Sequence, residues 1–200
     1  VRKLVYYIGV TLDGRIAGPD GQADFFPVGD EAQAASYADG VNALYPETVP
    51  AGLRTAAGLD GVPRRRFDTV LMGGATYRLA ADAGLTSPYP HLRQYVVSAT
   101  LAGGGAADPA VTVVPGDPVG LVRRLKREGA DGALDLWLCG GGRLAGALLP
   151  EIDELVVKSY PVIAGAGLPV VDGAFDPTAF EAAERTAFPN GVTLTRLLRR

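Results

Sequence analysis

LDLWLCGGGRLAGALL, residues 134–149, sets an apolar run against three consecutive glycines and then a short helix-compatible stretch. The run LDLWLC (134–139) predicts a buried strand, and the leucines and alanines after Arg143 predict a helix ending near Leu149-Pro150. A strand that turns through glycine directly into a helix is the start of a βα unit. Missing side chains at Gly140, Gly141 and Gly142 would let an anion reach the backbone. The orphan N–H groups from Gly142 to Leu144 favour negative charge, and Arg143 could add a guanidinium. A purely structural turn is the competing reading.

Two other nucleotide signatures fit this stretch poorly. Gly140, Gly142 and Ala145 match G-x-G-x-x-A, but that fingerprint wants an acidic residue at the end of the next strand. The next strand, ELVVKSYPVI (154–163), carries Lys158 and Ser159 there, while Asp153 and Glu154 come at its start. A P-loop needs Lys and Ser or Thr where Arg143 and Leu144 stand.

Similar strands recur on both sides. KLVYYIGV (3–10), DTVLMG (68–73), QYVVSAT (94–100) and VTVV (111–114) all predict buried strands. Helices are expected over 31–44, from Thr76 to about Ala83, and from Pro118 to Glu128. The last has Asp117 as N-cap, Pro118 at N1, and Val119, Leu121, Val122 and Leu125 turned toward a sheet. LAGGGAADPA (101–110) reads as a surface loop. PETVPAGLRTAAGLDGVPRRR (46–66) reads as an irregular excursion suited to contacting a partner. AFEAAERTA (179–187) and GVTLTRLLR (191–199) read as a hairpin joined through Pro189-Asn190-Gly191. The expected fold is therefore one three-layer α/β/α domain over residues 1–200. Its sheet is mixed and mainly parallel, with helices on both faces and a C-terminal antiparallel hairpin.

Glycine and proline account for 42 of 200 residues, so many turns must separate these short elements. A net charge of −3 gives no broad electropositive footprint, which argues against a nucleic-acid partner. Arg64–Arg66 and Arg199–Arg200 are read as solvated clusters. The single cysteine, Cys139, precludes an intrachain disulfide and reads as a buried inert thiol. With one histidine, His91, a structural metal site is not expected. No apolar run reaches about 18 residues and no basic-then-apolar leader opens the sequence, so a cytoplasmic protein without a membrane partner is expected.

Three more loops belong with the glycine triplet. Met72-Gly73-Gly74-Ala75-Thr76-Tyr77 exits a strand, with Thr76 able to cap the next helix or to donate to a phosphate. Ser98 and Thr100 end another strand with short hydroxyls. Thr11-Leu12-Asp13-Gly14-Arg15-Ile16-Ala17 follows the first strand. In an open α/β sheet such loops converge at the carboxyl ends of parallel strands. Asp13 reads first as a turn former. Asp24, Asp30 and Glu31 could hold a substrate amine, relay a proton, or cap the helix at 31.

VTLDGRIAGPDG, VLMGGATY, YVVSAT, LWLCGGGRLAGALL and VVKSYPVIAGAGLPV, in that order, resemble the dihydrofolate-reductase-like superfamily. Within it the sequence is most similar to the reductase domain of bacterial riboflavin biosynthesis, including its stand-alone members. The resemblance implies NADPH in the cleft, usually a homodimer, and a small heterocyclic substrate. By carry-over, Val10 and Ala17 line the nicotinamide through backbone contacts, with Ile16 nearby. Gly73 and Thr76 meet the pyrophosphate or adenosine side, and Ser98 approaches the adenosine phosphate. Gly140, Gly141, Gly142, Arg143 and Leu144 wrap the pyrophosphate, and PVIAGAG (161–167) shapes the substrate side or supports dimer contacts. Related enzymes often carry Arg where this chain has Gly74, and that Arg can recognise the 2′-phosphate. Its loss leaves NADH, or an Arg relocated from 64–66, as alternatives.

The implied activity is an NAD(P)H-dependent reduction like that of 5-amino-6-(5-phosphoribosylamino)uracil. The alternatives are a dihydrofolate- or pterin-type reduction and a non-catalytic nucleotide-binding or assembly role. Asp30, with Asp13 behind it, is the expected catalytic carboxylate, an ordered water being the other proton source. Arg15 is the one candidate for a substrate phosphate.

Overall fold

A computed structural model describes residues 1–102, 108–129 and 132–200. Residues 103–107 of the LAGGGAADPA stretch lie outside them. The chain runs β1 (Leu4–Val10), β2 (Arg15–Ala17), α1 (Glu31–Leu44), α2 (Ala51–Arg54), β3 (Phe67–Gly73), α3 (Gly74–Asp82) and β4 (Arg93–Val97). It continues with α4 (Ala99–Ala102), β5 (Val111–Val114), α5 (Pro118–Arg127), β6 (Asp135–Gly140), α6 (Gly142–Leu148), β7 (Glu154–Ser159), β8 (Leu168–Pro169), β9 (Phe180–Ala187) and β10 (Thr193–Arg199).

Eight strands form one sheet in the order β5-β4-β3-β6-β1-β7-β10-β9. The first six are mutually parallel, whereas β10 pairs antiparallel with β7 and β9 antiparallel with β10. The mixed, mainly parallel sheet with a C-terminal hairpin is thus as expected. Period-2 alternation splits the core in two. Val5, Tyr7, Phe67, Trp137 and Val156 pack on the face covered by Val41 and Tyr45 at the end of α1. Leu4, Tyr6, Leu71, Leu136 and Leu138 pack on the face covered by Leu121, Val122 and Leu125 of α5 and Leu144 and Leu148 of α6.

Local chemistry explains where elements begin and end. Asp30 caps α1 through a reciprocal pair with Gln33, and Asp117 caps α5 with Pro118 at its first position. Gly40 is tolerated within α1 because the Phe188 ring occupies the space an alanine methyl would take. The strand expected over 154–163 stops at Ser159, since Pro161 has no N–H for a ladder and Val162 N–H folds back on Tyr160 O at 2.8 Å. The strand expected to 100 stops at Val97, where Ser98 Oγ accepts from Leu101 N at 3.3 Å and opens α4. Helix α3 begins at Gly74 with Gly73 as its cap residue, so Thr76 lies inside the helix and is not its cap.

The excursion at 46–66 is tied down by two side chains. Glu47, 1% exposed, accepts from the backbone N–H groups of Arg65, Arg66 and Phe67 at 3.2, 2.8 and 2.7 Å. The Arg54 guanidinium donates to the carbonyls of Pro46 and Leu59 at 2.7 and 2.8 Å. His91 is satisfied on Glu47 O at 2.8 Å.

The amino ends of the parallel strands carry a charge lattice. Arg2 pairs with Asp68, Arg66 bridges Asp135 and Glu154 at 3.0 Å each, and Arg196 meets Glu154 at 2.7 Å. Arg66 and Arg199 are therefore not solvated as the sequence suggested, because Arg199 also donates into the carbonyls of Ile152 and Leu149. No described helix is long and apolar enough to cross a membrane.

Candidate functional site

The parallel strands all present their carboxyl ends on one edge, at Val10, Gly73, Val97, Val114, Gly140 and Ser159. Register locks these ends together. Gly73 pairs with Val97, Met72 with Gly140, and Val10 with Ser159. The loops singled out in the sequence therefore meet along one line.

Gly141 is the centre of that line. A methyl placed on it would stand 3.6 Å from Thr76 Oγ1 and 3.9 Å from Ile16 Cδ1, in ordinary contact range. The Gly73 position faces Gly141 N at 3.4 Å and Leu144 Cβ at 3.8 Å. Ile16, Gly73, Thr76, Gly140, Gly141 and Leu144 are brought together. Gly140 has φ +124°, a conformation L side chains rarely adopt, and the Gly140–Gly141 peptide is cis. The first turn of α6 leaves the N–H groups of Gly142, Arg143 and Leu144 without helical partners, the ladder starting at Ala145 N to Gly141 O, 3.0 Å.

Gly142 has a different task. A methyl there would drive into the carbonyl oxygen of Pro169, and one on Gly146 into that of Asp172. Asp172 N also donates to Gly142 O at 3.0 Å. The third glycine and Gly146 thus let α6 lie directly against the 169–173 segment. That segment is further held by Tyr6 OH on Val170 O at 2.8 Å.

Other expected members have contacts of their own. Arg143 is 94% exposed and faces Asp172 at 3.7 Å, a surface pair worth little. The carbonyl of Val10 accepts from Tyr160 N at 2.9 Å, and Ala17 pairs with Leu168 in the two-stranded ribbon β2–β8. Arg15 turns into the same ribbon, Nη1 reaching Gly167 O at 3.3 Å while Nε is buried without a hydrogen-bond partner among the described residues.

Both expected carboxylates have structural partners. Asp30 accepts from Gln33 N at 2.9 Å as the cap of α1. Asp13 accepts from Thr11 Oγ1 at 2.6 Å, Ala164 N at 3.0 Å and Gly165 N at 2.8 Å, so it clamps the PVIAGAG loop to the loop after β1. Asp24 lines an open hollow of about 450 Å³ with Gln22, Phe25 and Ile163.

The Thr11 hydroxyl, followed by the Ala164 amide, lowers the Asp13 carboxyl from 3.8 to about 2. A depressed carboxyl contributes stability that is present above its unfolded value and lost as pH falls through its folded one. The clamp should therefore hold at pH 4 and above and release as pH approaches about 2. Protection of the Ala164 and Gly165 amides, measured relative to their intrinsic exchange, should fall over that window in the wild type, and Asp13→Asn should remove that pH-dependent loss. Wild-type protection that stays constant from pH 4 to about 2 would contradict the clamp.

The sequence missed one cation at this edge. Arg78, one turn into α3, reaches Thr100 Oγ1 at 3.4 Å, and Thr100 Oγ1 lies 3.1 Å from Ser98 Oγ. Ser98 Oγ also fills the space above Gly74, 2.6 Å from where a side chain would begin. An Arg relocated from 64–66 is overturned, because those residues precede β3 and sit at the opposite end of the strand from Gly73. Seven residues of β3 separate the two by about 20 Å.

The Cys139 thiol, beside Tyr89, is pushed up to about 11 chiefly by burial, which keeps it protonated and unreactive near neutrality.

The mixed, mainly parallel sheet with its C-terminal antiparallel hairpin is a dihydrofolate-reductase-like fold. The pattern of the RibD C-terminal domain family matches residues 2–194, and the chain belongs to that family. It is 27% identical over 195 residues to the uncharacterized protein YwjB of Bacillus subtilis (strain 168), covering 96% of each chain. Among solved structures it is similar to a putative riboflavin biosynthesis protein from Shewanella sp. PV-4. The TM-score is 0.68 with 22% identity, over 100% of this chain and 99% of that one. A second similar structure is the diaminohydroxyphosphoribosylaminopyrimidine deaminase/5-amino-6-(5-phosphoribosylamino)uracil reductase of Thermotoga maritima. Here the TM-score is 0.60 with 17% identity, over 100% of this chain and 57% of that one.

Proposed function

We propose that the chain is an NAD(P)H-dependent reductase acting on a small oxo-heterocycle, the 5-amino-6-(5-phosphoribosylamino)uracil type being the leading substrate. The carrying observation is the convergence of Gly73, Thr76, Ile16 and Gly141 on one open cradle, together with membership of the RibD C-terminal domain family. Support for a pyrophosphate here comes from Gly141, whose missing side chain leaves its backbone open between Thr76 Oγ1 and Ile16 Cδ1. When bound, the nicotinamide supplies the hydride; the protein aligns donor and acceptor.

In this reading Gly140–Gly142, Leu144, Gly73 and Thr76 hold the pyrophosphate, and Ile16 covers the nicotinamide end. Ser98, Thr100 and Arg78 take the adenosine phosphate, which supports NADPH over NADH despite Gly74. With Asp30 and Asp13 engaged in structural contacts, the acceptor's proton comes from ordered water.

The test is cofactor oxidation followed by absorbance, with both cofactors and with the aminopyrimidine and dihydrofolate as acceptors. Turnover is expected with NADPH and the aminopyrimidine. Arg78→Ala should lower the NADPH-to-NADH ratio of kcat/KM by about tenfold, the loss of one charge-assisted contact. Absence of hydride transfer with every pair would overturn the reductase assignment. An unchanged ratio would remove Arg78 from cofactor selection.

A further inference from the structure

The chain has three lysines. Lys3 meets Glu154 at 3.7 Å, and Lys126 meets Asp153 at 2.7 Å. Lys158 alone has neither a carboxylate nor a hydrogen-bond acceptor among the described residues. Its ammonium lies 4.3 Å from the centre of the Tyr7 ring. A half-buried ammonium with three donors and only a ring face for company is a poor device for stability. Partial burial lowers its pKa, because the neighbouring apolar groups remove some of the water that would solvate the charge.

Its place in the sheet gives it a use. Lys158 is the penultimate residue of β7, at the carboxyl edge that carries the glycine cradle, and pairs with Gly9 of β1. Cys139, Tyr7 and Lys158 come from the adjacent strands β6, β1 and β7. Tyr7 and Cys139 share the α1 face of the sheet, and the ammonium lies over Tyr7. Gly9 has no side chain there, and the space above it is bounded by the Tyr160 ring at 3.2 Å and Lys158 Cε at 3.9 Å. Tyr160 is fixed by Tyr37 OH at 2.7 Å and by the Phe26 ring at 4.7 Å. The Tyr160 ring, a protonated thiol and one cation without a protein acceptor among the described residues stand beside the residue that begins the cradle, Gly140. Such a surface recognises a flat ring bearing a charged oxygen.

We propose that Lys158 is the substrate-recognition cation of this cleft, donating to an anionic or enolate-type oxygen of a planar oxo-heterocycle held beside Cys139 and Tyr160. The proposal rests on the reductase reading for the identity of the cleft, and its test does not use the cofactor. Calorimetry without cofactor compares barbiturate, a planar pyrimidine-trione anion, with neutral uracil. Wild-type protein should bind barbiturate at least tenfold more tightly than uracil. Lys158→Met, which keeps the stem, should abolish that preference, and Lys158→Arg should retain part of it.

A second measurement needs no variant. Barbiturate should protect Lys158, and neither Lys3 nor Lys126, from acylation by acetic anhydride in peptide mapping of the wild type. Equal binding of the two rings, no barbiturate binding to the wild type, an undiminished preference in Lys158→Met, or unprotected Lys158 would each overturn the proposal. Failure of NADPH oxidation with intact barbiturate selectivity would instead count against the reductase reading alone.

Discussion

Alanine at Gly142 is expected to cost about 1–3 kcal/mol of stability, the range for forcing a methyl into packed surroundings. The obstacle is the backbone carbonyl of Pro169, which cannot rotate away as a side-chain end would. The same peptide neighbourhood is fixed from two sides, by Asp172 N on Gly142 O at 3.0 Å and by Tyr6 OH on Val170 O at 2.8 Å. Relief therefore requires α6 to lift from the 169–173 segment, and Leu144 and Leu148 to leave the core with it. Gly146→Ala should behave alike, since its methyl meets Asp172 and Gly173 backbone atoms. Denaturant melts of both variants check this. A midpoint unchanged from wild type in Gly142→Ala would show that the segment yields freely, and that the third glycine is not needed for packing.

What made these glycines ambiguous in the sequence was distance along the chain. The run Leu136–Cys139 and the apolar spacing after Gly142 were enough to predict strand, turn and helix, because those signals are local. The partner that requires Gly142 to lack a side chain is Pro169, on an element of two residues that carries no periodicity. Its ribbon partner, Arg15–Ala17, is only three residues long. Neither strand was legible for the same reason. The amino-edge charges misled in a related way: Arg66 sits in a basic triplet and looks solvated until Asp135 and Glu154 are brought to it by parallel pairing. Lys158 was visible as a missing carboxylate. That it lies unpaired over Tyr7 depends on the β1–β7 register, which no local signal specifies. Arg78 escaped because its neighbour Thr100 belongs to the next βα unit.

Gly141→Ala should produce the opposite phenotype from Gly142→Ala. Its φ of −89° suits alanine, and the new methyl would find Thr76 Oγ1 and Ile16 Cδ1 at ordinary van der Waals distances. Stability should consequently stay within about 0.5 kcal/mol of wild type, as for substitutions that create neither overlap nor cavity. The methyl would nonetheless project between the two walls of the cradle, where a pyrophosphate must approach the free N–H groups of Gly142 to Leu144. NADPH affinity by calorimetry should drop at least tenfold, or about 1.4 kcal/mol. Because the two glycines are adjacent, any general disturbance of the turn would affect both variants alike. Only a divided function predicts one variant that melts early and a neighbour that melts normally and loses its ligand. If Gly141→Ala binds NADPH as the wild type does, the cradle is not the pyrophosphate site, and the cofactor must be sought elsewhere along the carboxyl edge.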